Sequence, residues 1–137
     1  MATVAVVVVA AAVAETIQRY IEAVEELDLA KYATVVAHDG DLAWYGSMPG
    51  QIVGWGEVEG VIRGMFDALS DIRIMQTDFR IHFSPDRRLA WATCLWDFRA
   101  RMGDEPVIEP TRCTWVLERR GTDWVIVHWH KSVGVPD

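Results

Sequence analysis

The chain has 137 residues, 51% hydrophobic and 24% charged, which suits one globular domain with a sizeable core. Its formal net charge of -7 disfavours nucleic acid, where affinity rests on Lys and Arg neutralising phosphates, and equally disfavours an anionic membrane surface.

Residues 2–14 form an uncharged Ala/Val run. It is too short to span a bilayer, which needs about 20 residues, and it lacks the basic start of a secretory signal. Residues 1–12 are therefore read as an apolar extension that either continues the first helix or packs as an arm. Residues 13–27 have helical spacing, with Val13, Ile17, Tyr20, Ile21, Val24 and Leu27 on one side. Asp28 can cap a second helix over 29–37, which holds Tyr32, Val35 and Val36. His38-Asp39-Gly40-Asp41 reads as a turn, 42–45 as a short strand, and Gly46 to Gly54 as a loop. A third helix covers 56–69. Four long strands follow at 71–83, 88–101, 107–119 and 123–133, joined by polar turns. Helices segregated from an antiparallel sheet mean α+β, and a strongly bent sheet wrapped over three helices leaves a cone with one open end.

Seven tryptophans are many for this length. They can serve core and dimer packing or wall an aromatic ligand pocket, and each indole N–H wants a partner. Cys94 and Cys113 sit in apolar strand-like runs, outside any C-x-x-C motif. They read as small buried residues of a reducing, cytoplasmic compartment. No His, Cys and carboxylate cluster has metal-ligand spacing, and no cofactor is called for.

Several motifs carry a resemblance: Ile21-Glu22-Ala23 with Asp28, Arg80-Ile81-His82-Phe83, Thr111-Arg112, and Trp124 through Ser132 followed by Pro136. Over residues 13–136 the chain resembles the NTF2-like (cystatin-like, α+β cone) superfamily. It looks most like the SnoaL-like domains of the group that also holds the association (hub) domain of calcium/calmodulin-dependent kinase II. It is more distantly similar to ketosteroid isomerases, where the resemblance places Tyr20 at the oxyanion-binding tyrosine. The isomerase base falls at Trp44, which cannot accept a proton, and the second oxyanion acid falls near Arg112–Thr114, where no carboxylate stands. The hub resemblance implies a pocket for small carboxylates, held by Arg112 and Lys131. A second alignment, counted back from Trp124, puts the hub arginine's place at Trp115 instead.

Strand alternation sorts the remaining candidates. Val127, Trp129 and Lys131 share one face of the last strand, expected inward, while Ile126, His128, His130 and Ser132 share the other. Those histidines suit interface hydrogen bonding, with His130 also a candidate general base. Cys94 and Trp96 face inward, and Asp97 lies on the opposite side. Asp97 is either ion-paired near a strand end or, if partly buried, a base with a raised pKa. His82 is either a packed histidine or pocket-lining. His38-Asp39 reads as a catalytic dyad or as turn chemistry.

The expected site is thus a polar trio, Tyr20, Arg112 and Lys131, in an apolar cone walled by Trp44, Trp96 and Trp129. Asp97, His82 or His130 would move protons. Two cations in a low-dielectric cone need a counter-charge, either an anionic ligand or an internal acid such as Asp97 or Glu109. The function this implies is a small-molecule pocket taking an anionic or carbonyl-bearing organic ligand. It would be an isomerase, cyclase or dehydratase working by proton transfer without metal, or else a non-catalytic binding or hub-like domain. A homodimer, or a larger homo-oligomer, through the outer sheet face is the expected partner arrangement.

Overall fold

Val13, Ile17, Tyr20, Ile21 and Val24 line one face of the first helix, α1 (Ala2–Glu26), and all five are buried. The computed structural model describes residues 2–134, with side chains from Val7 onward. Pro136 of the last-strand motif lies outside the described residues. The Ala/Val run continues α1: Val9 and Ala12 pack on the core, whereas Val7 and Val8 are exposed. The helix stops where Leu27 takes a left-handed backbone, φ 56°. The Asp28 N–H then donates to the Ala23 carbonyl at 2.9 Å and the Leu27 N–H to the Val24 carbonyl at 3.2 Å, the paired closure of a Schellman end. Asp28 also opens α2 (Leu29–Ala33), its carboxylate accepting from the Lys31 N–H at 3.0 Å.

The second helix is shorter than its spacing predicts. Val35 and Val36 leave it for the sheet: the Ile126 N–H donates to the Val35 carbonyl at 2.8 Å, and the Ala37 N–H to the Ile126 carbonyl at 2.9 Å. Sheet pairing by β-branched residues outweighs a further helical turn here. The chain continues through β1 (Ala43–Tyr45), β2 (Ile52–Val53), α3 (Trp55–Ala68), β3 (Leu69–Phe83), β4 (Leu89–Met102), β5 (Glu105–Arg120) and β6 (Asp123–Val133). The two-residue β2 sits in the segment expected as loop.

One six-stranded sheet results, in the order β2-β1-β6-β5-β4-β3. Every pairing is antiparallel except β1 on β6, which is parallel. The expected α+β cone is thus the observed one, with a single parallel pair at one side. Its curvature has local causes. β3 carries two register shifts against β4, and Asp71 and Asp78 lie within them at φ 51° and 55°. A bulge adds twist and bend, and Asp is among the residues that tolerate a left-handed backbone.

A third shift falls between β5 and β6, where Leu117 faces Ile126 but Val116 faces His128, leaving Val127 as the extra residue. This corrects the simple alternation expected for the last strand. Ile126 is fully buried on the same side as Trp129 and Lys131, and Val127 is the residue displaced. Inside the curve, β4 contributes Cys94, Trp96 and Phe98, and β5 contributes Thr111, Cys113, Trp115 and Leu117, all buried. Among the described residues no helix is long and apolar enough to cross a membrane.

Candidate functional site

Indole rings line the inner part of the cone. Trp129 stacks on Trp44 with centroids 5.2 Å apart and lies 5.8 Å from both Trp96 and Tyr20, while Trp96 lies 5.6 Å from Trp115. They leave an inner hollow of about 30 Å³, bounded by Tyr20, Trp44, Met65, Trp96, Phe98, Thr111, Trp129 and Lys131 among others. That is room for about one or two waters, or for one functional group of a ligand.

Beside the hollow lies an open cleft of about 850 Å³ between α3 and the ends of β4 and β5. Trp44, Met65, Phe98 and Lys131 border both spaces. Gly46 lies flat against the Trp44 ring, where any Cβ would collide with the indole.

Tyr20 is held at the apex by the Val13–Val24 face of α1. Its hydroxyl accepts from the Tyr32 hydroxyl and from Trp44 Nε1, each at 3.4 Å. The two hydroxyls can exchange donor and acceptor roles, and when Tyr32 donates, the Tyr20 O–H is left to be given to a ligand. Burial above all, then the neighbouring Tyr32, pushes its pKa well above the ordinary phenol value. Tyr32 is pushed up by burial too. Tyr20 is therefore a neutral hydrogen-bond donor and not a base. Trp129 adds a second donor: its Nε1 is buried and, among the described residues, without an acceptor, as is that of Trp115.

Lys131 faces inward from β6. It donates to Glu109 Oε2 at 2.8 Å and lies 5.8 Å from the Phe98 ring centroid. Its side chain is 14% exposed and that of Glu109 28%, so the pair forms the charged floor of the cleft.

The expected trio is not assembled. Arg112 sits on the outer face, exposed, with Nε donating to Ser132 Oγ at 3.0 Å. Strand parity decides this, since Thr111, Cys113 and Trp115 take the inward positions of β5. The place given by the second alignment, Trp115, does lie inside.

The three proton-moving candidates also lie away from the hollow. Asp97 is on the outer face, accepting from Arg99 Nε at 3.1 Å. His82 is exposed and stacks on Trp91 at 5.4 Å, because the β3 bulges leave Phe79, Ile81 and Phe83 to face the core. His130 is exposed beside Tyr45, with ring centroids 5.6 Å apart, and His128 Nδ1 lies 2.9 Å from the Ala43 carbonyl.

His38 and Asp39 are no dyad. His38 Nε2 lies 2.7 Å from the Ala33 carbonyl and its ring stacks on Trp55, whereas Asp39 accepts from the Asp41 N–H and from Arg120. Tyr20, Lys131, Trp44, Trp96 and Trp129 do converge on the hollow.

The sequence reading named Glu109 only as a possible counter-charge. Counting back by twos from the inward Trp115 would have placed it inside. Met65 and Phe98 carried no polar signal, and their place at the hollow, like that of Tyr32 beside Tyr20, emerges only from packing. Among the described residues no group of His, Cys, Asp and Glu could hold a metal ion.

The SnoaL-like domain model matches residues 13–136, and the chain belongs to that family. No curated protein matches it. Among solved structures it is similar to an NTF2-like superfamily protein from Salmonella enterica serovar Typhimurium, with a TM-score of 0.85 and 20% identity over 96% of this chain and 94% of that one. A candidate scytalone dehydratase from Novosphingobium aromaticivorans superposes with a TM-score of 0.86 at 11% identity, covering 97% and 89% of the two chains. A ketosteroid isomerase-like protein from Erwinia carotovora atroseptica does so at 0.77 and 15%, covering 92% and 96%. At such identities the likeness is one of fold, which hosts many chemistries.

Proposed function

We propose that the cone binds a small carbonyl compound and moves a proton at the carbon beside its carbonyl, as an isomerase, cyclase or dehydratase of this family would. The observation that carries this reading is the buried Tyr20 hydroxyl lining a hollow that is bordered by Lys131 of the Lys131–Glu109 pair. The carbonyl oxygen would accept from Tyr20 inside the hollow. Glu109 would take the α-proton, leaving its electron pair on the oxygen as an enolate, and return the proton to the product. A fixed donor in a dry site counts most when charge develops on the oxygen.

Charge balance favours a neutral carbonyl ligand over a carboxylate. Lys131 is already neutralised by Glu109, and Arg112 lies outside, so among the described residues no uncompensated cation waits at depth. The hub-like, carboxylate-holding alternative loses its main support for the same reason.

The test is deuterium exchange into a methyl ketone in D2O, followed by NMR. Exchange should exceed the buffer rate, fall about 10²–10⁴-fold in Glu109→Gln, and fall about 10²–10³-fold in Tyr20→Phe. Ketone binding without exchange above buffer would leave only the binding function.

A homodimer through the outer face belongs to the same proposal. Met75, Trp91, Leu95 and Ile108 are exposed there, next to Arg112 and His130. Sedimentation should give a dimer that Leu95→Asp splits; a wild-type monomer removes this part. The two free, buried thiols, Cys94 opposite Cys113, support a reducing cytoplasmic setting.

A further inference from the structure

Helix α3 turns Gly56, Gly60 and Gly64 toward the open cleft, at intervals of four residues. Glycine inside a helix is unfavourable relative to alanine. Backbone conformation does not require it here, since these three are not among the glycines with positive φ. Nor does crowding require it: a Cβ added at any of the three meets nothing within 4 Å. The absent side chains therefore leave room that the folded chain itself does not use. The stripe runs about 12 Å from end to end at the usual helical rise, roughly the length of a ten-carbon chain. Met48, Met65 and Met102 stand around it, unbranched side chains that adapt to a variable occupant.

The inner hollow offers a second, independent sign of a ligand. It holds about 30 Å³ and is bordered by Trp129, which is buried and whose indole N–H has no acceptor among the described residues, and by the buried Tyr20, whose O–H is free whenever Tyr32 donates to it. A space that small admits a carbonyl group and little more. Everything else attached to that carbonyl must lie in the cleft, with which the hollow shares Trp44, Met65, Phe98 and Lys131.

We infer that the ligand is elongated: one terminal carbonyl in the hollow at Tyr20 and Trp129, and an apolar body of about ten carbons lying along the glycine face of α3. Gly60, at the middle of the stripe, sets the permitted thickness of that body. The head-group half of this inference rests on the function proposed above; the body half rests on the cleft and the glycines.

The experiment measures binding of methyl ketones, from butanone to the twelve-carbon homologue, by quenching of tryptophan fluorescence. Matched alkanes serve as controls, on wild type, Gly60→Ala and Gly60→Leu. Affinity should rise about three- to fourfold per added methylene, as burial of apolar surface dictates, and level off near ten carbons. Gly60→Leu should weaken the longest ketones at least tenfold and butanone less than twofold. Both glycine variants should unfold at higher temperature than wild type, because the helix gains propensity, so a loss of binding is not a loss of fold.

A series that stays flat with chain length, or a Gly60→Leu loss equal for short and long ketones, overturns the body subsite. Alkanes that bind as tightly as ketones and show the same Gly60→Leu penalty would sink the carbonyl head and the proposed function while leaving the body subsite standing.

Discussion

Lys131 and Glu109 meet at 2.8 Å across neighbouring strands, with Nζ donating to Oε2 at the floor of a largely apolar cleft. Each charge is tolerable there because of the other, since an unpaired charge in a partly buried site loses hydration with nothing in return.

The pair should consequently behave non-additively. Lys131→Met or Glu109→Leu alone is expected to cost about 1–3 kcal/mol, below the range for fully buried pairs because water still reaches both groups. The double variant should be nearer to wild type than either single one. Urea unfolding of the four proteins closes the cycle, and simple addition of the two single effects would contradict the coupling.

Removing the Tyr20 hydroxyl strips an acceptor from two buried donors at once, Tyr32 and Trp44. Tyr20→Phe should destabilise the fold by about 1–3 kcal/mol. Tyr32→Phe removes only a donor from Tyr20 and should cost less. Thermal unfolding compares the two, and the reverse order would mean that the hydroxyls are not connected as described.

Gly46 is fixed by the ring it touches. Gly46→Ala should displace Trp44, and with it the wall shared by the hollow and the cleft. A loss of about 1–3 kcal/mol, as for overpacking, and a red shift of tryptophan emission are expected. An unchanged emission maximum would show that the loop yields instead of the indole.

The turn after α2 should loosen in acid. The Asp41 N–H and the Arg120 guanidinium hold the Asp39 carboxyl below its ordinary pKa. A depressed folded-state value means that the unfolded chain binds the proton more readily. The stabilisation is therefore complete above about pH 4 and fades as pH falls through the folded value. Asp39→Asn should flatten the acid limb of a stability–pH curve; an identical limb would assign it to other carboxylates.

The order of helices and strands was legible because apolar spacing distinguishes a helical face from an alternating strand, as Val13–Val24 and Cys94–Phe98 both do. The tryptophan walls were legible for the same reason. What escaped was parity across irregularities. Val127 is an extra residue in β6, and Asp71 and Asp78 interrupt β3, so faces counted by twos from the strand ends do not stay in step. Arg112 escaped differently, by being placed through a motif match and not through its neighbours Thr111 and Cys113. Glu109 was legible only as a possible counter-charge, because a lone acid between Ile108 and Pro110 carries no motif and only the partner strand supplies its lysine. The glycines of α3 conveyed nothing by themselves, since an open helix face and a ligand wall read alike until the facing strands are in place.

Asp71 and Asp78 have a consequence for solubility. They lie in β3, the outermost strand on one side of the sheet, where a row of backbone groups would otherwise invite a stranger's strand. Two kinks, each bearing a carboxylate, break that margin into short pieces, and Glu25 of α1 takes the Ile74 N–H at 3.1 Å from the same row. The bends that shape the chamber thus also guard the molecule against polymerising along its own rim.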